Sequence, residues 1–293
     1  MRHALKILAI SLLLFANAFA KHQLSICAIF QNEAPYFKEW IEFHKLQGVE
    51  HFYLYNNNSS DAYKKLLLPY LHSKIVTLIE WPYTYEQGNT KEWIKIQRSA
   101  YLHCLKKYGA RTKWLAAIDA DEFLFCPNGE LLTSFLKRYQ QYGGVCANWL
   151  LFGTSHIEQV PPQTLMIEML TMCSAPNNPR NVRVKSIVQP KCVKDCDTAH
   201  SFVYKEGFFA VGADGNKIVG GNSPYVSHDK IRINHYWTRT EKHFREKKIK
   251  SRHNRRLGEN ETNLTAMANA YNVNNDSAIL QFVPALRKKM GYD

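Results

Sequence analysis

The feature that narrows the fold most is an alternation. Between Leu24 and Ile118, short apolar runs are separated by segments whose apolar residues recur at helical spacing. Leu24–Phe30, His51–Tyr55, Ile75–Glu80 and Trp114–Ile118 are short, compact apolar stretches, as expected of strands buried on both faces. Between them, Phe37, Trp40, Ile41 and Phe43 recur before Gly48, and Leu66 to Tyr70 follow the capping cluster Asn56–Asp61. Trp93, Ile96, Ala100, Cys104 and Leu105 share a face before Gly109. This order predicts an α/β fold with a mostly parallel, Rossmann-type sheet and helices on both faces. Ligands of such sheets bind beyond the carboxyl ends of the strands, so the turns Gln31–Pro35, Asn56–Asp61 and Asp119–Glu122 should gather at one edge. After Pro127 the pattern is less regular: a helix from Leu131 to Tyr142, a strand from Val145 to Phe152, then a mixed, antiparallel stretch to about Val219.

The first twenty residues stand apart. Arg2 and Lys6 precede an apolar run from Ile7 to Phe15, and Ala18-Phe19-Ala20 follows. This pattern fits a secretory signal cut after Ala20 or a short membrane anchor, the run being shorter than the roughly 20 residues of a spanning helix. Residues 21–253 then form one globular domain, and 254–293 a weakly patterned, partly helical tail. Seven cysteines without paired CxxC spacing argue against a structural zinc site, and Cys192 with Cys196 is the candidate local disulfide. The formal charge is +13, and residues 241–256 hold eight Lys/Arg against two Glu. That run fits a solvated helix face or a surface for an anionic ligand or membrane; no nucleic-acid-reading motif accompanies it.

Chemistry is concentrated in Ile118-Asp119-Ala120-Asp121-Glu122-Phe123, where acids end one apolar strand and burial resumes at once. Two carboxylates so close repel unless a cation sits beside them, and a divalent metal with open positions for phosphate oxygens is a natural occupant. Such a metal would offset the charge growing on a departing diphosphate.

In the order of its segments the chain resembles glycosyltransferase family 92, whose members have the GT-A type of nucleotide-diphospho-sugar transferase fold. The resemblance runs from Asn32-Glu33-Ala34-Pro35-Tyr36 and Glu39–His44 through Gly48-Val49, His51–Asp61, Gln97, Trp114 and the acidic segment. It continues in Trp149–Gly153, Lys185–Pro190, His200 and Asn234-His235-Tyr236-Trp237. It implies inverting transfer of a hexose, often galactose from uridine diphosphate, to a glycan or other hydroxyl acceptor, with Mn²⁺ or Mg²⁺ and an irregular acceptor-side half. The setting implied is a membrane or secretory one, Golgi-type or bacterial envelope.

Carried over by position, Phe30, Asn32, Glu33, Asn58, Asp61, Gln97, Arg98 and Asp119 would bind the donor. Asp121 would be the principal metal ligand, with Asp119 and His235 beside it and His200 as substitute. Glu168 and Asp214 are the candidates for the base that takes the acceptor's proton. Trp149 and Phe152 are candidates to stack on sugar faces, and Lys242, Arg245 and Lys248 to meet diphosphate or an anionic membrane. Two rival readings are a phosphohydrolase using Asp119 and Asp121, and a non-catalytic carbohydrate- or membrane-binding protein of the same fold.

Overall fold

A computed structural model describes residues 22–85, 89–249 and 261–292, so the N-terminal segment and much of the basic run lie outside the described residues. The first half alternates as the periodicity predicts: β1 (His22–Phe30), α1 (Ala34–Leu46), β2 (His51–Asn56), α2 (Tyr63–His72), β3 (Val76–Glu80), α3 (Thr90–Tyr108) and β4 (Thr112–Ala117). There follow β5 (Glu122–Phe125), α4 (Leu132–Leu136), β6 (Gly144–Leu151), α5 (Met166–Met169), β7 (Met172–Cys173), β8 (Val184–Val188), β9 (Val193–Cys196) and β10 (Phe202–Tyr204). The chain ends with β11 (Ala210–Val211), β12 (Lys217–Ile218), β13 (Arg232–His235), α6 (Glu241–His243), α7 (Glu261–Asn269), β14 (Asn274–Asn275) and α8 (Val283–Met290).

The main sheet is ordered β12-β11-β6-β8-β4-β1-β2-β3, with β13 pairing both β6 and β5 off this path. β3, β2, β1 and β4 are parallel; β8 is antiparallel between β4 and β6 and joins the regular half to the rest. Alternation along β1 explains the layering. Leu24, Ile26, Ala28 and Phe30 face the cluster holding Trp40 of α1 and Leu67 of α2, whereas Cys27 and Ile29 face Ile96, Ala100 and Cys104 of α3. Helices therefore cover both faces of the parallel strands.

Two local expectations change. The helix expected from Leu131 to Tyr142 is cut short, α4 ending at Leu136 and tightening into a 3-10 turn over Lys137–Tyr139. There the Tyr139 hydroxyl donates to the Ala213 carbonyl at 2.7 Å. Cys192 and Cys196 do not pair, and all seven cysteines are buried free thiols. Cys192 ends the 3-10 turn before β9 and Cys196 ends the strand, so the extended residues between them separate the two by about 13 Å of chain, too far for a disulfide.

The C-terminal stretch joins the main core. Ile279, Leu286 and Met290 pack into the cluster that contains α1, and Lys38 of α1 donates to the Met290 carbonyl at 2.9 Å. Among the described residues no helix is long and apolar enough to cross a membrane.

Candidate active site

Three turns meet at the carboxyl edge of the parallel strands, and asparagine chemistry ties two of them together. Asn32 and Asn58 adopt left-handed backbone conformations, φ 58° and 56°, which asparagine tolerates better than most residues. The Asn32 side-chain oxygen accepts from the amides of Ser60 (2.8 Å) and Asp61 (3.2 Å). Asp61 in return accepts from the Ala34 amide at 2.8 Å, supplying the cap that the start of α1 lacks on its own. Asp61 thus serves as a helix cap, and Asn58 is exposed, its amide reaching the Tyr83 carbonyl at 3.4 Å.

The third turn carries the acids. Asp119 and Glu122 close it reciprocally: the Asp119 amide donates to Glu122 Oε2 at 2.9 Å, and the Glu122 amide to the Asp119 carbonyl at 3.2 Å. β13 lies antiparallel to β5 with His235 opposite Glu122, and the Tyr236 amide donates to the Asp121 carbonyl at 2.9 Å. That register brings His235 Nε2 to 3.6 Å from Asp121 Oδ1. The resulting cleft, about 510 Å³, is lined by Phe30, Asn32, Glu33, Gln97, both aspartates and His235, and by Trp149, Trp237 and Lys248.

The two aspartates are not equivalent. Asp119 has both oxygens engaged: Gln97 Nε2 (2.8 Å) and the Tyr101 hydroxyl (3.2 Å) donate to one and Lys185 Nζ (2.8 Å) to the other. Lys185 and Glu122 are fully buried, 3.7 Å apart. The cation that close carboxylates require is thus supplied at Asp119 by the protein itself. Burial alone would lower the pKa of Lys185, but Asp119 and Glu122 raise it above its ordinary value. Burial pushes Glu122 up to about 7 against the pull of Lys185. Asp121 keeps its carboxylate toward the cleft. Burial works against its ionisation, yet His235 first, then Lys248 and Arg239, hold it well below the usual carboxylate range.

Of the metal set expected from sequence, Asp121 and His235 face each other, while the Asp119 carboxylate is occupied by Lys185, Gln97 and Tyr101. Among the described residues no three His, Cys, Asp or Glu side chains converge as a complete metal cage. His200 packs edge-on to Trp149 behind the cleft lining, its ring Nδ1 2.9 Å from the Val184 carbonyl.

The remaining candidates separate. Glu33 lines the cleft in an ion pair with the buried Arg239. Phe30 packs edge-on to Phe37 and Tyr63 at the cleft floor. Arg98 turns away to Asp195 (3.0 Å) and the Cys196 carbonyl, so no phosphate position faces it. Glu168 accepts from the Leu165 amide (3.1 Å) and Arg287 (2.8 Å) at the start of α5, outside the cleft. Asp214 sits in the β11–β12 turn, accepting from Asn216, at the far edge of the sheet. Neither proposed base reaches the acids. Trp149 stands over His235 with ring centroids 4.3 Å apart, whereas Phe152 is buried against Tyr236.

The basic helix resolves its own ambiguity. Phe244–Ile249 is a π-helix, whose i→i+5 bonding puts more than four residues in a turn, so side chains three apart no longer share a face. Lys248 enters the cleft with its Nζ 5.0 Å from the Trp237 ring centre. Arg245 pairs outside with Glu158 at 2.5 Å, and Lys242 faces a neighbouring cavity.

Sequence reading gave no role to Lys185 or Arg239. A lysine inside Val184-Lys-Ser-Ile-Val is the kind of signal that could have flagged the first. Arg239 lies over the Tyr36 ring at 3.6 Å and donates to the carbonyl of Ala120, between the aspartates, at 3.3 Å. It therefore fastens the acid turn to the Glu33 turn.

The sequence profile of glycosyltransferase family 92 matches residues 22–268. The chain belongs to glycosyltransferase family 92. Among its family 92 relatives is a protein of Ricinus communis, 28% identical over 233 residues, covering 77% of this chain and 37% of the relative. The beta-1,4-galactosyltransferase galt-1 of Caenorhabditis elegans is 25% identical over 225 residues, covering 73% of this chain and 48% of that protein. The chain spans about a third of the length of the family 92 relatives it matches. Among solved structures, TarS residues 1–349 from S. aureus aligns over 58% of this chain and 48% of that one at 13% identity, TM-score 0.37.

Proposed function

We propose that this family 92 chain is a metal-dependent glycosyltransferase that moves a hexose from a nucleotide-diphosphate sugar to a hydroxyl acceptor. The observation that carries this reading is the pairing of an ionised Asp121 with His235 in a cleft that also holds Lys248. The Asp121 carboxylate and the His235 imidazole would hold a divalent cation such as Mn²⁺. Bound there, the metal supplies positive charge for the leaving diphosphate.

The chain's own groups divide the rest. Gln97 and Asp119, locked together, offer a fixed edge for the nucleoside side of the donor. Lys248, a cleft cation with no ion pair among the described residues, is available to the diphosphate, whereas Arg239 and Lys185 are committed to acids. The acceptor oxygen bonds the anomeric carbon as the carbon–oxygen bond to diphosphate breaks, its electron pair leaving on the diphosphate. The hydroxyl proton goes to a base. His243 borders the cleft, but burial, then Arg239 and Lys248, push its pKa down to about 2, too weak a base for that role at neutral pH. Galactose as the sugar and inversion as the outcome follow the galactosyltransferase relatives and the family resemblance. A membrane or secretory setting, through residues 1–20, belongs to the same reading.

The test is hydrolysis of a panel of nucleotide sugars by the purified chain, with and without Mn²⁺. Slow, Mn²⁺-stimulated release of a nucleoside diphosphate is the expected result. Release of inorganic phosphate, or a phosphoryl-enzyme, would instead favour a phosphohydrolase.

A further inference from the structure

Beside the donor cleft lies a second one of about 590 Å³, a size suited to one or two sugar rings. Asn32, His243 and Lys247 line both, so the two cavities are contiguous at the carboxyl edge of the sheet. Its outer wall, residues 159–164, comes from the irregular half of the chain and is held at both ends. On one side the amides of Glu241 (2.9 Å) and Lys242 (3.2 Å) donate to the carbonyls of Ile157 and Glu158. On the other, the amides of Met166 (2.9 Å) and Ile167 (3.0 Å) donate to the Glu39 carboxylate on α1. Pro161 and Pro162 stiffen the span, and Gln163 then adopts φ 57°, an uncommon conformation for a residue with a side chain.

The lining chemistry identifies the ligand class. Glu39 and Asp61 are already engaged by backbone amides. Gln159 and Gln163 are exposed and have no hydrogen bond among the described residues. A primary amide both donates and accepts, which matches the paired demands of a sugar hydroxyl. Val160, the two prolines and Tyr292 add apolar surface beside those amides, as the C–H faces of a pyranose require. Charge of both signs faces the cavity, Glu246 against Lys242 and Lys247, so no single anionic group is favoured.

We infer that this second cleft is the acceptor site, that its acceptor is a carbohydrate, and that Gln159 and Gln163 bind it. The inference rests on the transferase reading of the neighbouring cleft, and a ratio of two rates separates them. With a nucleotide sugar that the wild-type chain hydrolyses, the methyl glycosides of glucose, galactose, N-acetylglucosamine and fucose are supplied as acceptors. At least one should accelerate donor turnover and yield a disaccharide. In the double variant Gln159→Ala/Gln163→Ala the ratio of transfer to hydrolysis should fall about tenfold or more, as two hydrogen bonds are lost. A ratio equal to wild type overturns the assignment, whether both rates persist or both decline together. Hydrolysis that no glycoside accelerates overturns the carbohydrate class. A wild-type chain that hydrolyses no nucleotide sugar at all strikes the transferase reading itself.

Discussion

At the residue scale, the acid turn is organised around an internal lysine. Lys185 Nζ lies 2.8 Å from Asp119 and 3.7 Å from Glu122, with the lysine and the glutamate both fully buried. The two carboxylates are themselves joined through the Asp119 amide, so removing the ammonium strips the buried Glu122 and the hydrogen-bonded Asp119 of their shared cation. Lys185→Met should therefore cost about 3–5 kcal/mol of unfolding free energy, read from denaturant titrations. A loss below about 1 kcal/mol, the range of an exposed pair, would contradict this account. The sequence displays this lysine as a charge within an apolar strand but not its partner, which is 66 residues away and depends on β8 lying beside β4. For the same reason Glu122 reads locally as a turn residue, although the fold buries it completely.

At the element scale, what was legible follows from local periodicity. β1 to β4 and the three helices between them were visible because each buries a repeating pattern of its own. The π-helix over Phe244–Ile249 was not, since its hydrogen-bond register leaves no residue pattern, and Lys242, Arg245 and Lys248 go to three destinations. α8 lies in the tail expected to be partly helical, but its bounds were not legible. Three of its eight residues are basic, and its role is to place Leu286 and Met290 in the cluster that contains α1, the helix that begins at the Glu33 turn. Leu286 is fully buried, so Leu286→Ala should destabilise the whole domain by about 2–5 kcal/mol. A chemical denaturation curve matching wild type would show that the C-terminal helix is an appendage and not part of the core.

At the scale of the whole molecule, two halves contribute unlike things to one edge. The regular half supplies the Asn32, Asp61 and Asp119–Glu122 turns; the irregular half returns β13 to set His235 opposite them and adds the 159–164 wall of a second cleft. Both clefts open where parallel strands end, the position that the strand–helix order alone implies. The existence of a second cleft, and the failure of Glu168 and Asp214 to reach the first, depend on long-range pairing that no local signal encodes. The central claim is that Asp121, not Asp119, is the carboxylate open to a divalent cation. Its direct test is calorimetry of nucleoside diphosphates binding to the wild-type chain and to Asp121→Ala, with and without Mn²⁺. Mn²⁺ should tighten wild-type binding about tenfold or more and leave Asp121→Ala unaffected. Wild-type affinity indifferent to Mn²⁺, or a full Mn²⁺ effect retained in Asp121→Ala, would contradict the account.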